Sequence, residues 1–231
     1  MDKSEIRNAA TVIVLRDRQS DPKVLMGQRG SKAAFMPNKF VFPGGAVDAA
    51  DADVPLATTL PNICRARLAH DSALPPEQLA AAAIRELWEE TGQVLGKSGA
   101  WGFDAPRGWR GFAATHHVPD FSGLNFVFRA VTPPGKPRRF DARFFLVDAE
   151  RLASDPDDFS GAEDELSHLQ WVRLNEARNF NLPFITTVVL AEIAANLDAP
   201  GAPETVPYFQ HHDERHFLNA LGGASPLDAI G

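Results

Sequence analysis

The hydrophobic positions near the start of the chain fall in two short runs, Thr11 to Leu15 (TVIVL) and Val24 to Met26, the second continuing toward Arg29. Joined by the polar turn RDRQSDPK, they read as two strands. Lys39 to Phe42 (KFVF) reads as a third, ended by Pro43-Gly44-Gly45. From Ala46 to Leu74 the chain is rich in Ala, Asp and Pro and shows little periodicity beyond a short helix around Ile63 to Ala69. The pattern changes at Pro75-Pro76-Glu77. Ala80, Ile84 and Leu87 form an apolar stripe, proline is tolerated in a first helical turn, and an acid suits the positive N-terminal end. Gly92 offers a C-terminal stop, so the pattern predicts a helix over about residues 76 to 92. Gly96 to Gly123 is irregular and reads as an excursion over the surface. Asn125 to Val131, Phe140 to Val147 and Leu166 to Val172 read as strands, Leu182 to Leu197 as a helix. Strands dispersed among helices indicate an α/β sandwich, and no repeat or long linker demands more than one domain over 1–231.

One stretch of the long helix raises a chemical question. Arg85 to Gly92 (RELWEETG) places Glu86, Glu89 and Glu90 at spacings of three and four, within an arc of roughly 100° on one side of a helix. Neighbouring carboxylates repel one another. Solvated helix faces tend to alternate signs, and here Arg85 alone can offset anything, by reaching Glu89 at i+4. A cation is missing from the sequence. Oxygen-only ligands on one face suit a hard divalent ion such as Mg²⁺ or Mn²⁺, which keeps several waters and completes its shell with substrate phosphate oxygens. Gly44 and Gly45, directly after a strand, allow backbone to approach both this helix and a ligand closely.

Composition narrows the partners. A net charge of −7 argues against a broad nucleic-acid-binding surface and against an anionic membrane surface, but not against a small anionic substrate bridged by metal ions. The apolar runs are too short to span a bilayer, and the charged start is no signal peptide. Cys64 is the single cysteine, so no intrachain disulfide forms; it reads as a small buried residue. Together these indicate a cytoplasmic protein.

The second half of this pattern resembles the Nudix box, G-x5-E-x7-R-E-U-x-E-E-x-G-U with U a bulky aliphatic residue. Arg85, Glu86, Leu87, Glu89, Glu90 and Gly92 match position by position, and Glu77 stands eight residues before Arg85 as the isolated glutamate of the pattern does. Gln93 departs at the last aliphatic position, with Val94 beside it. Gly45 precedes Arg85 by 40 residues rather than 14, which implies about 26 inserted residues. A similarly interrupted box marks a branch that includes a peroxisomal coenzyme A diphosphatase, and Val24 to Gly45, Val131 to Phe145 and Glu165 to Ala177 look like that branch too.

The resemblance implies a Nudix-type α/β/α sandwich with a mixed sheet, insertions over about 46–74 and 96–123 beside the substrate cleft, and a C-terminal helical extension over about 199–231. It implies hydrolysis of a pyrophosphate in a nucleoside diphosphate derivative, coenzyme A or acyl-CoA foremost, with ADP-ribose, NAD(H) and dinucleoside polyphosphates as alternatives and a non-catalytic nucleotide sensor as the rival of another class. Glu86, Glu89 and Glu90 would be metal ligands, Arg85 would orient a carboxylate, and the backbone of Gly44 and Gly45 would help complete the site. The general base varies in the family; Glu163, Asp164 and Glu165 are candidates, each more readily read as part of an acidic surface loop. Glu77 and Asp48 are even candidates for the isolated glutamate. Arg138 and Arg139, with Lys136, could pair with substrate phosphates or serve as solubilising charges. His212 and His216 stand at i, i+4, but Asp213 occupies the place where the zincin pattern needs glutamate. Oligomeric state is left open, a homodimer included.

Overall fold

In the computed structural model, which describes residues 5–33, 35–199, 201–210 and 226–230, the first apolar run is the middle of a longer strand, β1 (Ile6–Arg16). Then come β2 (Lys23–Arg29), β3 (Phe40–Val41), β4 (Gly44–Ala46), α1 (Asn62–Ala69), α2 (Pro76–Thr91) and β5 (Gly96–Ser98). The second half holds α3 (Arg110–Ala114), β6 (His117–Pro119), β7 (Asn125–Val131), β8 (Arg139–Asp148), β9 (Leu166–Arg173), α4 (Phe184–Ala195) and β10 (Tyr208–Phe209). One mixed sheet runs in the order β10-β7-β8-β1-β2-β3, with β4 also paired to β1 and β9 to β2.

The central pair sets the site. β1 and β8 are parallel over ten positions, from Ile6 opposite Arg139 to Leu15 opposite Asp148. That backbone pairing carries β1 through polar Arg7 and Asn8, which the apolar pattern could not reveal. β3 is shorter than expected because Pro43 has no N–H to donate; its carbonyl instead accepts from Val12 N at 2.9 Å, and the chain re-pairs with β1 as β4.

Alternation along the strands divides the interior into two layers. Ala10, Val12, Val14, Phe145 and Val147 face α1, α2 and α3. Ile13, Leu15, Phe144 and Leu146 face α4. Helices on both sides of the sheet make the expected α/β/α sandwich.

The segment 96–123 is not the surface excursion its composition indicated. It contains the β5–β6 ribbon and α3, and it buries Trp109, Phe112 and Phe121 completely. The aromatic rings supply the burial that its glycines obscured in the sequence. Cys64 is buried, with Sγ accepting from Phe126 N at 3.4 Å. Of the C-terminal stretch, the described residues form β10, paired in parallel with β7, and a 3₁₀ turn over Pro226–Ile230. His211, His212 and His216 lie outside the described residues. Among those described, no helix is long and apolar enough to cross a membrane.

Candidate functional site

The helix α2 begins at Pro76 and ends at Gly92, which takes a left-handed conformation (φ 73°) and donates to Trp88 O. Its last two turns carry the charged residues. Arg85 is 4% exposed, and all five of its guanidinium N–H groups have acceptors at hand. Nε donates to Asp51 Oδ1 (2.8 Å), Nη1 to Glu86 Oε1 (2.8 Å) and Glu89 Oε2 (2.9 Å), Nη2 to Ala46 O (2.8 Å) and Asp51 Oδ2 (3.2 Å). Burial opposes the Arg85 charge, but Asp51, Glu86 and Glu89 outweigh it and hold the guanidinium protonated beyond its ordinary range. The i+4 pairing expected of Arg85 and Glu89 is present, and Glu86 joins it.

Glu86 and Glu90 meet the loop after β3. A Cβ on Gly45 would lie 2.5 Å from the Glu86 carboxyl carbon, so no side chain other than hydrogen fits where that carboxylate lies against the backbone. Gly44 N donates to Glu90 Oε2 at 2.7 Å. The other oxygen, Glu90 Oε1, is buried without a hydrogen-bond partner among the described residues. Burial pushes the Glu86 carboxyl up to about 7, with Arg85 opposing and Glu89 and Glu165 adding to the rise. Burial, then the Glu86 charge, drives Glu90 well above the usual carboxylate range. Glu89 is raised by burial too, against the pull of Arg85.

A cleft of about 750 Å³ opens beside this helix, with Arg85, Trp88, Glu89 and Glu163 along it and Arg107 and Arg110 on the wall formed by the segment 96–123. Asp48, Ala49 and Ala50 close another side. Both long segments flanking α2 in sequence therefore contribute to one opening. The loop before β9 is fastened to the helix by Glu163 N donating to Glu89 O at 2.8 Å.

No protein-family model matches the chain. A curated protein of Caenorhabditis elegans, provisionally named nudix hydrolase 7, is 30% identical over 185 residues, covering 75% of this chain and 53% of its own length. The chain thus spans about half the length of that relative. The crystal structure of a NUDIX hydrolase from Alicyclobacillus acidocaldarius superposes with a TM-score of 0.59 at 26% identity, over 85% of this chain and 97% of that one. The chain has the Nudix fold. In this fold the interrupted box closes up in space: Gly44 and Gly45 reach α2 although about 40 residues separate them from Arg85. The Nudix departure at Gln93 is accommodated as a buried amide, its Nε2 donating to Asp155 O (3.1 Å) and Asp158 O (2.8 Å) while Ser154 Oγ donates to its Oε1 (2.8 Å). Val94 is buried beside it.

The Nudix resemblance implies a divalent cation, and the donor set fits one: oxygens only, an orphaned buried carboxylate oxygen on Glu90, and a neighbouring Glu86 that burial makes costly to ionise even beside Arg85. Among the described residues no three Asp, Glu, His or Cys side chains are grouped to hold a metal ion. Hard cations of the Mg²⁺ kind use one or two carboxylates, water and substrate oxygens, so a closed protein cage is not required.

The remaining expected residues scatter. Glu165 pairs with Arg29 Nη2 at 3.0 Å, yet its charge still bears on Glu86 and Glu90. Asp164 is exposed. Glu77 is drawn away to Arg65 Nε (2.5 Å), whereas Asp48 lines the cleft, with its carbonyl accepting from Gln78 Nε2 at 3.0 Å. Lys136 and Arg138 are exposed at the start of β8, and Arg139 Nε donates to Thr132 O at 3.0 Å; none of the three is among the residues lining the cleft. Asp51, Arg107 and Arg110 were missed. Asp51 sits in an Ala/Asp stretch without periodicity, and the acid spacing Asp48-x-x-Asp51 was its one local signal.

Proposed function

We propose that the protein hydrolyses a pyrophosphate bond in a nucleoside diphosphate derivative, with Mg²⁺ or Mn²⁺ held by Glu86 and Glu90, Glu89 adjoining. The observation that carries this reading is Arg85 holding both Glu86 and Glu89, with Arg85 and Glu89 lining a cleft large enough for a nucleotide and an unsatisfied oxygen on Glu90 of the same helix. A bound divalent cation would neutralise the diphosphate and lower the pKa of a water. The chain's own residues do the rest. Arg107 and Arg110 line the same cleft and would offer guanidinium groups to phosphate oxygens. Glu163, on the same cleft and anchored through its backbone to the helix, is the proposed acceptor of a proton from the attacking water; Glu165 is the second candidate, already paired with Arg29.

For the substrate we favour coenzyme A or acyl-CoA, cleaved to 3′,5′-ADP and a phosphopantetheine, on the strength of the interrupted box. Lys136, Arg138 and Arg139 do not line the cleft, so a 3′-phosphate held inside it would meet Arg107 and Arg110, and the three would read it only where the substrate extends beyond the cleft. Assay of CoA, dephospho-CoA, ADP-ribose, NADH and a dinucleoside polyphosphate with each cation tests both levels. Faster cleavage of CoA than of dephospho-CoA at subsaturating concentration supports the choice; cleavage of ADP-ribose alone removes it. Tight ligand binding without turnover of any compound would convert the reading to that of a nucleotide sensor. The acidic, metal-seeking helix is what favours catalysis over sensing. We further propose a cytoplasmic protein.

A further inference from the structure

Asp51 does not line the cleft, yet it is the partner that decides where Arg85 points. It lies in a 3₁₀ turn (Ala49–Ala52) within the segment that interrupts the box, is 1% exposed, and receives four donors. Two come from Arg85, one from Asp48 N at 2.8 Å, and one from the indole Nε1 of Trp109 at 2.9 Å. Trp109 belongs to the other long segment and is wholly buried. Both segments thus converge on one carboxylate behind the helix.

The geometry points to Asp51 as a positioning residue, set by Trp109, that turns the Arg85 guanidinium so that only its Nη1 edge reaches Glu86 and Glu89. The physical reasoning is a competition for donors. Arginine forms its strongest pairs bidentately. Here Asp51 occupies the Nε–Nη2 edge and Ala46 O takes the remaining Nη2 proton, so Glu86 and Glu89 must share Nη1, one hydrogen bond each. Each keeps an oxygen that does not contact Arg85 and remains able to face a cation. Without the Asp51 carboxylate the fork could swing onto Glu86 or Glu89 and compete with the cation for both oxygens. A buried ion pair is weak evidence for a stabilising role, since its desolvation cost offsets its attraction. Partners that orient ligating side chains typically change metal affinity or activity by 10- to 100-fold.

This inference rests on the proposed function for its activity arm only. In Asp51→Asn the apparent half-saturating Mg²⁺ concentration should rise on the order of 10- to 100-fold and kcat fall, while KM for the diphosphate at saturating Mg²⁺ stays within about twofold. The second arm needs no activity. In metal-free protein the ¹⁵N–¹H signal of Arg85 Nε, assigned by its loss in Arg85→Lys, should be sharp and slow to exchange, and should broaden and exchange rapidly in Asp51→Asn. Trp109→Phe removes one donor and leaves the carboxylate, so it should shift both readouts in the same direction by less, with no added effect on top of Asp51→Asn. It carries the test if Asp51→Asn fails to fold. An unchanged Arg85 signal in a folded variant, or an activity loss that only tracks the folded fraction, overturns the proposal. Absence of any hydrolysis by the wild-type protein, with the signal behaving as stated, removes the functional reading and leaves the positioning intact.

Discussion

The helices α2 and α4 cover opposite faces of one sheet and are built on opposite terms. In α4, FITTVVLAEIAA, a single charged residue, Glu192, is present, and Val189, Leu190 and Ile193 are buried among apolar neighbours. In α2, PEQLAAAAIRELWEET, five charged residues are present, and Arg85, Glu86 and Glu90 are buried with them. Burying charge is costly unless it is paired, and Glu90 Oε1 is not. One helix is chosen for the stability of the sandwich. The other places expensive groups where chemistry can use them, and its alanine run (Ala80–Ala83) lets it lie close enough to the sheet to do so.

The sharpest way to break this contrast is at Glu90. Glu90→Gln should lower turnover of whichever diphosphate is cleaved by on the order of a thousandfold, about 4 kcal/mol of barrier. In chelator at pH 8 the same variant should melt no lower than wild type, because a buried carboxyl that is costly to ionise has gone. A large drop in melting temperature would place Glu90 with the structural residues instead. Leu190→Ala tests the opposite helix. It should cost 2–5 kcal/mol, about the range for a large-to-small change in a core, measured by denaturant unfolding, while kcat per folded molecule stays unchanged.

Acidity separates the two helices again. The folded-state pKa of Glu86 is raised from 4.5 to about 7, so the folded protein holds that proton more tightly than the unfolded chain does. Stability from this group is therefore fullest below the ordinary carboxylate range and is lost as pH climbs from about 4.5 through 7. The loss from Glu86 alone is about 3 kcal/mol by linkage. Melts of metal-free protein should fall between pH 5 and 8, flatten in Glu86→Gln, and recover when Mg²⁺ is added at pH 8. A flat profile in the wild type would contradict the burial argument. The smallest effect belongs to the end of α2. Gly92→Ala should cost about 1 kcal/mol from its left-handed backbone, rather more if the Gly161 backbone, 2.9 Å from the added Cβ, cannot shift. That change should leave α4 and its layer untouched.

These contrasts also explain what could be read from the chain. α2 was legible to within a residue because its signals are local: Pro75-Pro76 at the start, a helical apolar stripe, Gly92 at the stop. The clustering of Glu86, Glu89 and Glu90 near Arg85 follows from helical spacing alone. β7, β8 and α4 were equally local. The first turns of β1 were not, since Arg7 and Asn8 become strand by pairing with Phe140 and Asp141 far along the chain. Asp51 failed for the same reason. A buried carboxylate is recognised by its partners, and its partners are 34 and 58 residues away. The basic pair expected before β8 was judged on charge, whereas the arginines that line the cleft, Arg107 and Arg110, lie in a stretch with no pattern to draw attention.

The single thiol of this chain offers a clock for its motions. Cys64 is buried, and burial pushes its pKa up, with the hydrogen bond from Phe126 N and then the Arg67 charge pulling the other way. A thiol reagent added to the native protein can therefore react only after α1 lifts from β7. With one cysteine, each molecule is labelled once, and the trace is a single exponential without assignment problems. In the limit where reclosing is fast, its rate divided by that of a free thiol gives the fraction of time the helix is open. Because α1 lies in the segment that also carries Asp51, ligand-dependent slowing of this labelling would read how firmly an occupied cleft holds that segment down.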